Sequence, residues 1–481
     1  MKSTNKNKKN SNLYKILIVP NVRAAYDGRM VRDFAIAFNQ LGHQAQALKS
    51  PLLPSDLSLY VSEGSFDVVL EINRVRNHNY QLPKNVRYIS WFQDVFPGDK
   101  KLTKDDIQDQ DIFYTLGDSK VLGINAENVD CFKSSLFTGV SDEVLKFKSP
   151  SFDKIDFSMC GFIPAPLTNI KNPDVDIIWY IDKIVKSFPL LGRTRLANLI
   201  RRAIFRGRLP VDYLPYSLLM NVRDIMESNY QPLRGDLDIH KLSRALDIVL
   251  MSYIERPNIK KKSKKIYKKT SLFEKLMKDY SIGSDLALKK KSVQYRFFVS
   301  LLLKSRHTNF DKYSEIVDYF SQTYPRLLDR QYYINEILKV SEDIELYGLN
   351  WNLYPKYAQF YHGNLNNQED LFTVYQKSCM NLCNNTHGLG LHSRTLECMG
   401  VGGFIFMHSS PNENLPGGML TAFEPGIHYG SFDHDDIQEQ ARYWLYNSRR
   451  RTIICAQAKK IIADKHTWRD RAKQVINDLN K

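Results

Sequence analysis

Apolar residues along this chain switch between two spacings, and the switches mark its elements. Residues 15–20, Lys-Ile-Leu-Ile-Val-Pro, form an apolar run ending in proline, which predicts a buried strand. Met30, Phe34, Ala37, Phe38 and Leu41 then recur at helical spacing, Gly42 stops that helix, and residues 45–48 predict the next strand. These three pieces make a βαβ unit. Further strands are predicted over 66–72, 86–92, 111–116 and 129–132. Repeated alternation of this kind predicts a doubly wound parallel sheet.

A new strand is expected at 155–162, after which the sheet signal breaks off. From about residue 172 to residue 330 only helical spacing is seen. Alternation then resumes, with strands expected at 344–347, 359–361, 379–382 and 403–407 and a helix over 371–375. Helices at 436–446, 451–464 and 467–479 close the chain. The predicted fold class is therefore α/β, with two parallel α/β domains and an all-helical insertion in the second. The pattern divides the chain into a floppy polar tail (1–13), a first domain (14–150), a second domain (151–170 and 331–465), the insertion (171–330) and a closing helix (466–481).

A chain of 481 residues exceeds what one ordinary core organises, and 43% hydrophobic with 12% aromatic residues suffices for packed cores. The formal charge of +16 is unevenly spread: residues 171–330 hold 32 Lys and Arg against 17 Asp and Glu, so the remainder is almost neutral. A basic middle suits a solvated face, an anionic membrane surface or glycan, or nucleic acid. Leu196, Leu199, Ile200, Ala203 and Ile204 stand against Arg195, Arg201, Arg202 and Arg206, a pattern that can lie on an anionic bilayer. No nucleic-acid-binding signature accompanies the charge, so nucleic acid is not the expected partner. Cys131, Cys160, Cys379, Cys383, Cys398 and Cys455 lack zinc spacing and predict the reduced thiols of a cytoplasmic protein. Residues 1–12 lack the apolar core of a secretory signal, and no run of 18 apolar residues occurs. The expected location is cytoplasmic, with peripheral contact at the inner face of the membrane as its variant.

The stretch from His392 to Gly403, His-Ser-Arg-Thr-Leu-Glu-Cys-Met-Gly-Val-Gly-Gly, says most about chemistry. Arg394 and Glu397, three residues apart, share one face of a predicted helix that ends at Gly402-Gly403 before an apolar run. Backbone N–H groups and a guanidinium at such a helix start can hold a phosphate, and the carboxylate one turn on can accept ribose hydroxyls. A plain surface Arg-Glu pair has the same spelling. Around this stretch stand, in order, Leu346-Tyr347-Gly348-Leu349-Asn350-Trp351, Phe360-Tyr361-His362-Gly363-Asn364-Leu365, Met380-Asn381-Leu382, Phe423-Glu424-Pro425-Gly426 and His466-Thr467-Trp468-Arg469-Asp470-Arg471-Ala472. The ordered series resembles the CgeB-like glycosyltransferases, which are related to the group 1 glycosyltransferases of GT-B fold. The resemblance covers residues 331–481 well, 14–165 loosely and 171–330 hardly at all.

The resemblance implies a GT-B-like fold of two Rossmann-like domains, with the second domain holding a nucleotide-sugar, a UDP-sugar first. It implies no cofactor and no tightly bound metal. Arg394 is then expected at the diphosphate, helped by backbone from Gly388 through His392 to Ser393, and Glu397 at the ribose. Strand-end loops add Gly348, Asn350 and Trp351, whose indole can stack on a base or anchor packing. In the first domain, Gly28 either lets a loop approach the donor or is an ordinary turn glycine. Asp94, after the strand Arg87-Tyr88-Ile89-Ser90-Trp91-Phe92, is the candidate general base, or a turn residue. Asp27 is a weaker candidate, and Glu71 qualifies only at a strand end. Asp174-Val175-Asp176 and Asp236-Leu237-Asp238 spell metal-binding DxD pairs, but helix starts explain them better. His434 reads as a solvated cap, and His466 with Arg471 as fastenings of the last helix.

The expected function is transfer of a sugar from a nucleotide-sugar to a hydroxyl of a glycan, lipid-linked glycan or protein, for bacterial surface or envelope polysaccharide. The alternative is a non-catalytic protein on the same scaffold, binding an anionic polymer or membrane surface through the basic helical region. A sugar-nucleotide epimerase is the third reading.

Overall fold

The computed structural model describes residues 13–76, 82–96, 100–149, 153–165, 231–235, 323–365 and 367–481. The expected helical insertion lies outside them except for 231–235 and 323–330, and so do both DxD pairs.

The first lobe is built on β1 (Lys15–Val19), β2 (Gln44–Ala47), β3 (Val68–Ile72), β4 (Arg87–Phe92), β6 (Ile112–Thr115) and β8 (Phe132–Ser135), with β5 (Lys100–Lys101) and β7 (Ile124–Asn125) paired beside them. Its six-stranded sheet runs β2-β1-β3-β4-β6-β8 and every pairing is parallel. Leu17 lies opposite Val69, and Val69 opposite Tyr88, all fully buried. Burial on both faces is why β1 and β3 read as unbroken apolar runs instead of alternating ones. The helices α1 (Ala25–Gln40), α2 (Pro54–Gly64) and α3 (Asp142–Lys146) belong to this half of the chain. β8 begins at Phe132, three residues after the expected start: Val129 is apolar because it is buried before the strand, not within it.

The second lobe carries β9 (Ile155–Cys160), β10 (Ile344–Tyr347), β11 (Ser378–Cys383), β12 (Ile405–His408) and β13 (Gly430–Phe432), all parallel, in the order β10-β9-β11-β12-β13. Its helices are α4 (Tyr324–Ile337), α5 (Gln368–Lys377), α6 (Ser393–Val401), α7 (Ile437–Tyr446) and α8 (Ser448–Lys465). The strand expected at 359–361 is a 3-10 turn, Ala358–Phe360, tied to β10 by one bridge between Leu346 and Tyr361. Residues 323–330, counted with the insertion by pattern alone, form the start of α4, where Pro325 fits the first turn.

The closing helix α9 (Trp468–Leu479) returns to the first lobe. Trp468 packs at 5.1 Å from Phe34 and 6.4 Å from Trp91, and Ala472, Val475 and Leu479 join the same core. Each large apolar side chain buried there contributes roughly 1.5–3 kcal/mol. Thr467 and Asp470 form a capping box, Arg471 Nε donates to the Thr138 carbonyl at 3.1 Å, and its Nη2 lies 2.7 Å from His466 Nδ1. The chain end thus straps the second lobe to the first. Both sheets turn the carboxyl ends of their strands toward a common cleft, which is the arrangement of a GT-B-like pair of Rossmann-like lobes.

Candidate active site in the interlobe cleft

Two chambers make up the cleft. One, about 910 Å³, is lined by Tyr26, Gly28, Arg29 and Arg32 of α1 and by Leu365, Gln368, Leu371, Ser393, Arg394 and Glu397 of the second lobe. The other, about 590 Å³, takes Gln93, Asp94 and Gly117 from the first lobe and Arg326, Arg330, Asn384, His387, His392, Ser393 and Arg394 from the second. Tyr26, Ser393 and Arg394 line both and form the threshold between them.

The threshold sits at the N-terminus of α6. His392 is the residue before the helix and makes no side-chain cap, so the first N–H groups of α6 are not closed off by that side chain. Arg394 Nη1 donates to the Cys160 carbonyl at the end of β9, at 2.9 Å. Gly161 makes this possible: a Cβ there would stand 2.6 Å from Arg394 Nη1 and 3.4 Å from Arg330 Nη2. Arg326 and Arg330, one turn apart on α4, complete the cluster over the Phe162 ring, at 5.5 and 5.0 Å. Arg330 is 5% exposed; its Nε donates to Asn384 Oδ1 at 3.1 Å, and its buried Nη1 has no partner among the described residues. Among the described residues, none of the three arginines forms an ion pair. Burial, then Arg394 and Arg326, pull the Arg330 pKa well down; burial and then Arg394 lower that of Arg326, with Asp329 and Asp94 opposing. A guanidinium does not give up its proton in practice, so these directions record like charges crowded together in a poorly solvated place. His392, buried beside Arg394 and Arg330, is pushed down to about 3 and is neutral.

Glu397 is 7% exposed and is met across the cleft by Arg29, whose Nη2 stands 3.0 Å from Oε1. On the other side of the threshold, Asp94 follows β4 and accepts from Asn73 Nδ2 at 2.6 Å. Asn73 adopts φ +58 and also takes the Gln93 N–H on Oδ1 at 2.7 Å, which fixes the turn that presents Asp94. Asp94 is open to solvent inside the cleft, yet enclosure by both lobes, and then Asp27, raise its carboxyl above the usual range. Asp27 itself accepts the Val22 N–H at 3.1 Å. Glu71 lies within β3, 1% exposed, receiving the Tyr88 hydroxyl, and faces the sheet interior instead of the cleft.

Other expected site residues land elsewhere. Gly28 lies in the first turn of α1, not in a loop, and a Cβ on it would meet nothing within 4 Å. Trp351 is fully buried, its Nε1 donating to the Gly161 carbonyl at 2.7 Å, so no ring face is offered to a base. Asn350 donates to the Ile163 carbonyl at 2.9 Å, and Gly348, at φ +111, backs directly onto Gly161. These three brace the loop after β9 from behind, and none lines either chamber. Gly388, at φ +75, lets its loop pass against Ser410 and Gly235. His434 is no solvated cap: its ring stacks on Tyr332 at 4.7 Å and Nδ1 lies 2.8 Å from the Pro232 carbonyl. The six cysteines are all free thiols, and among the described residues no three His, Cys, Asp or Glu gather as a metal site. Among the same residues no helix is long and apolar enough to cross a membrane.

Pattern reading missed Arg29, Arg326 and Arg330. The last two stood inside the segment set aside as insertion; Pro325 followed by arginines four apart is the signal that could have claimed them as a helix start.

Residues 328–477 match a family described as glycosyl transferase-like, a span that takes in Arg330, Arg394 and Glu397. A comparison with curated protein sequences gives no match. Among solved structures the chain is similar to a glycosyltransferase from Rickettsia africae ESF-5, at 9% identity and TM-score 0.41, over 98% of this chain and 99% of that one. It is also similar to Anabaena Alr3699/HepE in complex with UDP and glucose, at 10% identity and TM-score 0.40, over 97% and 99%.

Proposed function

We propose that this protein is a glycosyltransferase that moves a sugar from a nucleotide-sugar to an acceptor hydroxyl. One observation carries the reading. Three arginines converge on the cleft, none of them forms an ion pair among the described residues, and one keeps a buried N–H for which those residues offer no partner. A diphosphate supplies the missing charge and acceptor atoms in one group. The glycosyl transferase-like match over residues 328–477 supports the same choice.

The chemistry follows from the layout. The nucleoside occupies the larger chamber, where Glu397 takes the ribose, and the diphosphate crosses the threshold over Arg394 and the N-terminus of α6. The sugar then lies in the smaller chamber beneath Asp94. The acceptor oxygen attacks the anomeric carbon, the bond from that carbon to the diphosphate breaks, and its electron pair leaves on the diphosphate. Arg326, Arg330 and Arg394 stabilise that growing charge, each worth about 4 kcal/mol at 4 Å in a medium of effective dielectric near 20. Asp94, with its raised affinity for protons, receives the proton of the hydroxyl. The reading needs no metal or cofactor. A UDP-sugar donor, and a glycan, lipid-linked glycan or protein acceptor in bacterial envelope polysaccharide synthesis, rest on the sequence resemblance; a cytoplasmic setting with peripheral membrane contact rests on the scattered cysteines and the basic segment.

Incubation with a panel of nucleotide-sugars, scored for released nucleoside diphosphate, tests the proposal. Release that disappears in Arg394→Ala supports it. No release and no binding of any nucleoside diphosphate would remove it.

A further inference from the structure

Glu397 and Arg29 come from different lobes, and their contact is built into the floor of the larger chamber. Arg29 is 20% exposed at its side chain and lies 5.6 Å over the Tyr26 ring, so the guanidinium is held from its own helix as well. It engages Oε1 alone; among the described residues Oε2 of Glu397 takes no hydrogen bond. One oxygen is therefore held, and the other remains for a ligand in the groove.

We propose that Arg29 is a positioning residue for the donor: reaching across the cleft, it holds Glu397 as a charged, oriented carboxylate whose second oxygen receives the ribose hydroxyls. The inference rests on the glycosyltransferase reading and adds to it that the ribose site is complete only when the lobes are closed. Arg29 belongs to the first lobe, and opening the cleft withdraws it.

The surroundings show why the carboxylate needs such a partner. Tyr26, Arg29 and Asp33 face it from α1, with Arg32 bound to Asp33; Arg394 and Cys398 face it from α6, and Tyr375 from α5. Burial drives the Glu397 carboxyl toward its neutral form and Asp33 adds to this, while Arg29 is the strongest opposing influence, ahead of Arg394. Without Arg29, a buried carboxyl among an aspartate, a thiol and two tyrosines takes up a proton more readily.

The test compares UDP and GDP binding by calorimetry to wild type, Arg29→Met and Arg29→Lys, each shown to be folded, from mildly acidic to mildly alkaline buffer. Wild type should lose affinity only at the acid end of this range, because burial leaves the Glu397 carboxyl raised even beside Arg29. Arg29→Met should lose affinity as pH falls, by about tenfold per unit once Glu397 is protonated, and recover as pH rises. Arg29→Lys should restore most of the wild-type profile, and Glu397→Gln should bind weakly at every pH. An Arg29→Met loss that is the same at every pH, or no loss at all, overturns the positioning role while leaving the enzyme reading standing. Failure of wild type to bind any nucleoside diphosphate takes both down.

Discussion

The two lobes present opposite surfaces to the cleft they share. On the first, Asn73 holds the cleft-facing Asp94, and away from the cleft Arg76 makes a buried bidentate pair with Asp111 at 2.7 and 2.9 Å. On the second, Arg330 is almost wholly buried with an orphan N–H, and Arg326 and Arg394 repel it. A buried charge left unpaired costs several kcal/mol and persists only where something else requires it. The difference teaches which lobe awaits an anion. On the proposed reading, the donor diphosphate supplies the negative charge that the second lobe's arginine cluster faces.

Breaking this asymmetry in stages gives graded effects. The largest is expected from Asp94→Asn, which removes the proposed base but not the cation cluster: glycosyl transfer should fall about 100- to 10,000-fold with nucleoside diphosphate affinity nearly unchanged. The same carboxylate sets an acid limb. Its pKa is raised, so transfer should decline as pH falls through that raised value, and the limb should vanish from the residual rate of Asp94→Asn. Next comes Arg394→Ala, expected to lower transfer about 100- to 1000-fold, measured as released nucleoside diphosphate. Gly161→Ala sharpens the point without touching a charge. The added methyl stands where Arg394 Nη1 lies, so donor affinity should drop while α6 and β9 remain intact by circular dichroism. Trp468→Ala concerns the strap and not the chemistry: it should cost about 3–5 kcal/mol of stability by denaturant unfolding, because the indole packs between Phe34 and Trp91.

The same asymmetry explains what the sequence could and could not disclose. Continuous apolar runs identify parallel strands buried on both faces, so β1, β3, β4 and β10 fell close to their observed places. β13 has three residues, too few for any period to show, and the 3-10 turn at Ala358–Phe360 imitates a strand because its aromatic residues pack on β10. Arg394 and Glu397 were legible because they lie on one helix, three residues apart. Arg326 and Arg330 were not, since Tyr324 stands 164 positions after Cys160 and only the fold brings α4 beside β9. Arg29 was not legible either, because its partner is 368 positions away. Trp351 shows the opposite error: a tryptophan beside a strand-end glycine looks available for stacking, yet its N–H is spent on the Gly161 carbonyl.

The most direct measurement is calorimetric titration of UDP and GDP into wild type and Arg330→Met, with thermal unfolding of both proteins in parallel. If the second lobe holds an anion site kept at the expense of stability, wild type binds a nucleoside diphosphate and melts higher with it. The methionine variant then loses that binding while its unliganded fold is as stable as wild type or more so, by about 1 kcal/mol or above. Equal binding by both proteins, or none by either, would contradict the assignment of the arginine cluster to a diphosphate.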